Sequence, residues 1–197
     1  MTEYTGTVLK SDISISKLYT VHYFEYSNNY HFSGESHDFW EMVYVDKGEV
    51  IVSSEENKYI LKQGEVIFHK PNEWHDINSN GVTAPNVAIV SFESRSAGMD
   101  FFQNKILKVG QNQKSIISKI ISEYTNAFLT PFNDPYTNKL VRKPDQLIGS
   151  EQLLKMYLCE LLISFIRNNT PSNQYSTINM NQSIATLNLL IHICRTD

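Results

Sequence analysis

The hydrophobic pattern changes its period near the middle of the chain, and no other feature constrains the fold as strongly. Up to about residue 98, apolar residues form short runs separated by Gly, Pro, Asn and Ser. Beyond that point they recur every three or four residues, which is the spacing of one helix face. The sequence therefore predicts a β-rich part at residues 1–98, with an amino-terminal arm, and a helical part at residues 99–197.

The runs of the first half favour strands, because they are rich in β-branched and aromatic residues. Turn residues separate them; Gly48, for example, lies in a short hairpin connection where a positive φ is expected. Strands are predicted at residues 18–26, 40–45, 49–54, 58–61, 65–70 and 86–94. Short strands separated by turns are typical of a closed barrel or a sandwich, and not of alternating strand–helix units.

Helical spacing occupies three segments of the second half, at residues 114–129, at 151–169 and from Ile184 to Cys194. Ser150 is predicted to be the N-cap of the second of these helices. The proline-containing stretch 131–149 is expected to form a long surface connection. These helices carry more apolar surface than one barrel flank needs, so we expect an isologous homodimer through the helical segment.

The composition excludes several classes of function. With a net charge of −4 and a pI near 5.9, the chain has no electrostatic attraction to a phosphate backbone. The first twenty residues lack the basic and apolar regions of a signal peptide, and no apolar run could span a bilayer. The two cysteines, Cys159 and Cys194, lack CxxC spacing and are expected to be thiols of a reducing compartment, so we expect a cytoplasmic protein.

Acidic and imidazole side chains alternate along the segment GESHDFWEMVYVDKG. Since side chains alternate between the two faces of a strand, Glu35, His37 and Glu41 share the face of the apolar Val43. That face is expected to be the interior of the barrel, where such groups are costly to bury without partners. On a separate strand, the stretch PNEWH brings a second imidazole, His75, towards the same interior.

Three interpretations of this polar cluster remain open. Glu35, His37, Glu41 and His75 could coordinate iron, manganese, zinc or nickel through nitrogen and oxygen atoms. They could instead bind the hydroxyl groups of a small polar effector, with Tyr23 and His69 as further contacts. In the third interpretation, these side chains only form hydrogen bonds within a barrel that binds no ligand.

The stretch HDFWEMVYVDKGEV, followed by YILKQGEVIFHKPNEWH, resembles the two motifs of the cupin superfamily. In the first motif, Glu35 takes the position of the first histidine and His37 that of the second. Glu41 and Gly48 match the Glu and the Gly that follow. In the second motif, the Gly, the Pro and the final His are matched by Gly64, Pro71 and His75.

The aromatic residue before Glu41 and the P-x-x-x-H ending resemble the sensor domain of AraC-type transcriptional regulators in particular. The resemblance covers about residues 15–170. It implies a mainly β fold with an α tail: a cupin double-stranded β-helix, or jelly-roll barrel, followed by two to three dimerisation helices. In that family, a DNA-binding domain with two helix-turn-helix units follows, and we expect this chain to be the sensor module without that domain.

The resemblance implies a module that binds a small effector, with a carbohydrate as the first expectation because the best-known member of the family senses one. AraC-type sensors commonly lack a metal, so no cofactor is expected, although a divalent metal at Glu35, His37, Glu41 and His75 stays open. Catalysis is not expected. The alternative is a metal-dependent cupin enzyme, either an isomerase or a dioxygenase.

Overall fold

The computed structural model describes residues 2–55 and 57–170. The third predicted helix, from Ile184 to Cys194, lies outside the described residues. Within them, eight strands precede two α-helices, and a 3₁₀ helix, Ala97–Phe102, lies between the last two strands. The strands are β1 Lys17–Glu25, β2 Trp40–Lys47, β3 Glu49–Ser54, β4 Asn57–Lys62, β5 Glu65–His69, β6 His75–Ser79, β7 Asn86–Glu93 and β8 Ile106–Lys108, and the helices are α1 Gln111–Ala127 and α2 Ser150–Asn169.

The strands form two antiparallel sheets. One has the order β1-β7-β2-β5-β8 and the other the order β4-β3-β6. Apolar side chains from both sheets meet in an inner core, which includes Val43, Val52, Leu61 and Ile89. The connection between β2 and β3 turns at Gly48, whose φ is +77° as the sequence predicts. The expected double-stranded β-helix is confirmed.

Alternation along β2 assigns its side chains to the two faces of the larger sheet. Val43 and Val45 lie in the inner core, whereas Trp40, Met42 and Tyr44 belong to a second apolar cluster on the outer face. The prediction that Glu41 shares the inward face of Val43 is therefore confirmed by the register of this strand.

The two helices cover the outer face of the larger sheet. Ile116, Ile120 and Tyr124 of α1, together with Leu158 and Phe165 of α2, belong to the same apolar cluster as the outer residues of β2. Residues 2–55 and 57–166 belong to one compact unit. A functional division at residue 98 stays a prediction.

One detail of the helical part differs from the sequence-based expectation. Ser150 is the first residue of α2 and not its N-cap, because the preceding Gly149, with a φ of +80°, takes the non-helical conformation. Neither described helix is both long enough and apolar enough to cross a bilayer.

Candidate functional site

A cavity of about 330 Å³ opens between the two sheets. This volume lies at the lower end of the range of about 300–1,000 Å³ that is typical of small-molecule sites. Its polar lining includes Glu35, His37, Glu41, His69, His75 and Ser91. The predicted polar cluster and the cavity therefore coincide.

Glu41 lies at the centre of the polar wall, because β2 is paired on both sides. Its register partners are His69 on β5 and Ser91 on β7. The Ser91 hydroxyl donates to Oε2 of Glu41 over 3.0 Å. The Nε2 atoms of His75 and His37 lie 3.4 Å and 3.6 Å from the two carboxylate oxygens. The carboxylate thus lies among a hydroxyl donor and two imidazoles, and Glu41 is only 8% exposed.

A backbone bridge brings the two motifs together. Glu35 and His75 exchange two hydrogen bonds between their backbones, with N···O distances of 2.9 Å and 3.0 Å. Gly34 permits this approach: its φ is +93°, and a Cβ atom there would lie 2.4 Å from the Trp74 ring. Any side chain at residue 34 would push the first motif away from His75.

Two imidazoles are oriented by backbone carbonyls. Nδ1 of His37 lies 3.0 Å from the carbonyl oxygen of Phe39, and Nδ1 of His75 lies 3.0 Å from that of Glu73. Because a carbonyl oxygen only accepts, both Nδ1 atoms must donate. This fixes the rings so that their Nε2 atoms point to Glu41 and the cavity.

The ionisation of the site follows from burial and from these contacts. Burial alone would raise the pKa of Glu41, but His37 and His75 more than offset it and hold that pKa well below its usual range. Burial lowers the pKa of His75, yet the Glu41 carboxylate raises it overall. Burial lowers the pKa of His69, whose ring stacks on His75 with centroids 4.2 Å apart. The site therefore favours an anionic Glu41 and a neutral His69, and the Glu41 carboxylate favours the protonated form of His75.

A second carboxylate, that of Glu73, contacts His69. Oε2 of Glu73 lies 3.5 Å from Nδ1 of His69 and accepts from the backbone N–H of Lys70 over 3.0 Å. The Ser54 hydroxyl donates to its other oxygen. Burial would raise the pKa of Glu73, but the His69 imidazole, the Ser54 hydroxyl and the Lys70 N–H together lower it to about 2.

We expect this carboxylate to make the stability of the protein acid-sensitive. The pKa of Glu73 falls from 4.5 to about 2 on folding, so its ionised form stabilises the folded state above pH 4.5, and this contribution is lost as the pH falls towards 2. The loss amounts to about 3 kcal/mol. Urea unfolding between pH 6 and pH 2 should show a flatter dependence in Glu73→Gln than in the wild type, and an intermediate one in Ser54→Ala. Equal slopes in all three proteins would contradict this assignment.

Several buried polar atoms of the cavity have no hydrogen-bond partner within the described part of the chain. They are Nε2 of His37, both ring nitrogens of His69, Nε2 of His75 and the hydroxyl oxygen of Thr137. The contacts of His37 and His75 with Glu41, at 3.4–3.6 Å, are ion-pair distances that are too long for good hydrogen bonds. Since buried polar groups are normally satisfied, these atoms favour a bound ligand.

The wall that β1 and the following loop form is aromatic, in contrast to the polar wall around Glu41. Stacked rings continue from His22 to Phe24, Tyr26 and Tyr30, with centroid separations between 3.7 Å and 5.2 Å. All four residues line the cavity. The cavity thus offers one face of aromatic rings and one of ionisable groups.

The structure brings together five of the six residues that the sequence singled out. Glu35, His37, Glu41, His69 and His75 all line the cavity. The sixth, Tyr23, does not line it: Tyr23 lies on the outer face of β1 and donates from its hydroxyl to Asp46 over 2.8 Å. The roles of the other five as ligand contacts stay predictions.

The residues of the site that were missed from the sequence include two polar ones, Ser91 and Thr137. Ser91 lies at an inward position of β7, between apolar neighbours, and a polar residue at such a position is a signal that could have been found. Thr137 belongs to the connection between the helices, where no periodicity marks the residues that reach a cavity.

The same donors satisfy the geometric requirement for a cation. One ligand atom from each of Glu35, His37, Glu41 and His75 can be chosen so that all four lie within 4.8 Å of one another. Two imidazole Nε2 atoms without partners and two carboxylates form a donor set that suits a divalent transition metal. The fit is incomplete at Glu35, which is exposed.

A larger cavity, of about 630 Å³, lies between residues 15–19, residues 138–142 and α2. None of the buried ionisable residues of the barrel lines it, and its charged groups include the exposed side chains of Lys139 and Lys155. We therefore assign the candidate functional site to the smaller cavity, where buried polar atoms lack partners.

Residues 17–96 match the family model described as the AraC-like ligand binding domain. No curated protein sequence matches the chain. Among solved structures, apo ToxT from Vibrio cholerae aligns with 88% of this chain and 65% of its own, at 13% identity and a TM-score of 0.50. This likeness concerns the fold alone.

Two further structures align over shorter stretches. The cupin domain of Cnp3 from Schizosaccharomyces pombe is 11% identical over 45% of this chain and 59% of its own, with a TM-score of 0.36. A predicted oxalate decarboxylase from Thermotoga maritima is 21% identical over 36% of this chain and 61% of its own, with a TM-score of 0.33. The chain thus spans less than two thirds of each of these three proteins. Its barrel, at residues 17–96, is thus similar to AraC-like ligand-binding domains.

Proposed function

We propose that this chain is the effector-sensing part of an AraC-type transcriptional regulator, and that its barrel binds a small carbohydrate. The observation that carries the proposal is the set of unpartnered buried polar atoms on His37, His69, His75 and Thr137, which all line one cavity. A ligand with several hydroxyl groups would satisfy them.

The two walls of the cavity favour a sugar over other small polar ligands. Glu41 and its imidazole neighbours can accept from hydroxyl groups and donate to them, whereas the rings of Phe24, Tyr26 and Tyr30 can cover the less polar face of a sugar ring. Glu41 with its lowered pKa is anionic, and it therefore selects against a carboxylate at the same position.

A thermal-shift screen of aldopentoses and aldohexoses tests the proposal. A sugar present at 100 times its Kd stabilises the folded state by about 2.7 kcal/mol, which raises the Tm of a chain of this size by about 5–10 °C. We expect His75→Ala to lose the shift. His31→Ala should retain it, because His31 does not line the cavity. A sugar that shifts both variants equally would be binding elsewhere.

A metal-dependent cupin enzyme is the second candidate, and the four convergent ligands Glu35, His37, Glu41 and His75 favour it. A cation held there would supply a Lewis acid for a bound oxygen atom. Elemental analysis of protein purified without a chelator separates the two proposals. Stoichiometric metal that disappears in His75→Ala would support the enzyme, whereas a sugar-dependent shift that survives chelation would support the sensor.

We further propose that the sensor is a cytoplasmic homodimer, and that it controls a DNA-binding domain of the regulator. The outward side of α2 supports dimerisation, because Met156 is 55% exposed and the neighbouring Leu153 is only partly buried. Sedimentation equilibrium of the chain tests this proposal. A monomer at micromolar concentration would exclude a stable dimer through α2.

A further inference from the structure

The connection between the two helices passes the cavity, and we call its residues 132–143 the strap. At its beginning, the carbonyl oxygen of Phe132 accepts from the backbone N–H of Tyr23 over 3.2 Å and from Nδ1 of His22 over 3.0 Å. His22 lines the cavity. The strap is therefore attached directly to a wall of the barrel.

A tight turn then brings the strap to the cavity. The backbone N–H of Thr137 donates to the carbonyl oxygen of Asp134 over 3.3 Å, and that of Tyr136 donates to the Asp134 side chain over 3.0 Å. Asp in the first position and Pro135 in the second are the residues that such a turn prefers. The turn holds Pro135 and Thr137 against the cavity, which both residues line.

Thr137 presents an unused hydroxyl at this point. Its Oγ1 atom is buried and has no hydrogen-bond partner within the described ranges. An unsatisfied buried hydroxyl costs about 1–3 kcal/mol, so a fold would gain by giving this group a partner. A hydroxyl group of a ligand in the cavity would be such a partner.

The far end of the strap is attached to both helices. Arg142 makes a two-pronged contact with Glu151 in the first turn of α2, with N···O distances of 2.7 Å and 2.9 Å. The backbone N–H of Lys143 donates to the carbonyl oxygen of Ala127, the last residue of α1, over 2.8 Å. A change in the strap therefore reaches the helices through direct contacts.

We propose that Thr137 is a ligand-contacting residue of the barrel, and that the strap transmits occupancy of the cavity to the first turn of α2. This inference rests on the proposed function, because it requires a ligand that bears hydroxyl groups. A ligand that bonds to both Thr137 and the barrel wall favours the arrangement in which the strap is held against the barrel. Through the contact between Arg142 and Glu151, the start of α2 is ordered together with the strap.

The contact is tested with Thr137→Val and Thr137→Ser, using the aldopentose or aldohexose that gives the largest shift in the wild type. Valine keeps the shape of threonine and removes the hydroxyl, whereas serine keeps the hydroxyl. We expect the Kd of that sugar to rise about tenfold in Thr137→Val and to change less than threefold in Thr137→Ser. Without sugar, Thr137→Val should be at least as stable as the wild type, because it removes a buried hydroxyl that has no partner within the described ranges.

The transmission is tested by amide hydrogen exchange in two arms. In the wild type, the sugar should slow exchange at least threefold at Lys143 in the strap and at Leu153, whose N–H donates to Gly149 at the start of α2. In Arg142→Gln, the sugar should slow exchange at Lys143 only. The second arm needs no ligand: His22→Phe removes the bond to Phe132 and should speed exchange at Leu153, but not in the β3–β4 hairpin.

The outcomes separate this inference from the proposed function. A sugar that binds the wild type with an unchanged Kd in Thr137→Val would overturn the contact and leave the sensor intact. Binding without any change at Leu153 would overturn the transmission. If no sugar binds, the carbohydrate proposal and the contact at Thr137 both fail, and the effect of His22→Phe on Leu153 still decides whether the strap couples the barrel to α2.

Discussion

Glu41→Gln is expected to lower the free energy of unfolding at pH 7 by about 2–4 kcal/mol. The pKa of Glu41 lies below its usual range in the folded protein, so the ionised carboxylate is more stable in the site than in the unfolded chain. An amide keeps the shape but removes the charge that faces His75 and His37. Urea unfolding at pH 7 measures this loss directly.

The same substitution should change the ionisation of His75. The Glu41 carboxylate is the group that raises the pKa of this imidazole against the effect of burial. Glu41→Gln removes this carboxylate while the burial stays, so the pKa of His75 should fall. Titration of the ring proton by NMR follows this shift separately from stability.

Glu35→Gln provides the matched control, because it removes a carboxylate from the same cluster. Glu35 is exposed, and a substitution there should change stability by less than about 0.5 kcal/mol. If Glu41→Gln were as harmless as Glu35→Gln, the buried network around Glu41 would contribute nothing to the fold. The cavity wall would then be held by backbone pairing alone, and the pKa of His75 would not depend on Glu41.

Alternation explains why so much of the candidate site could be predicted from the sequence. In β2, polar Glu41 interrupts a face that otherwise carries Val43 and Val45, and this pattern fixes the direction of the side chain once the interior is known. His75 could be placed because its motif is separate in sequence and ends a recognisable turn. The bridge between Glu35 and His75 then follows from the pairing of these two segments.

Tyr23 shows where the same reasoning fails. Aromatic rings occupy both faces of β1, so the composition gives no reason to prefer Tyr23 over His22 or Phe24 as an inward residue. A register irregularity between Leu18 and Thr20 further shifts the alternation at the start of the strand. His22 and Phe24 line the cavity, and Tyr23 packs on the outer face.

The strap, strand β8 and the 3₁₀ helix could not be predicted from the sequence for a different reason. Strand β8 has three residues and the 3₁₀ helix six, which is too short for either period to appear. The position of Thr137 depends on a turn built by Asp134 and on the anchoring of Phe132 by β1. These are tertiary contacts between segments far apart in the sequence, and no local pattern encodes them.

Leu158→Ala is expected to lower the free energy of unfolding by about 2–5 kcal/mol. Leu158 is 1% exposed and belongs to the cluster that α1, α2 and the outer face of the larger sheet share. Its truncation removes apolar burial and leaves a space that the surrounding side chains fill only in part. Urea unfolding should show a lower midpoint with an unchanged m-value, because the same surface is exposed on unfolding.

Leu147→Ala is the matched control, because the same atoms are removed from a residue that is 62% exposed. It should change stability by less than about 0.5 kcal/mol. Equal effects of the two variants would mean that α2 does not stabilise the barrel. A large difference, with a single transition and an unchanged m-value, would mean that the barrel and α2 unfold as one unit. In that case the start of α2 cannot move without affecting the packing against the sheet, which is the condition for a ligand in the barrel to act on this helix.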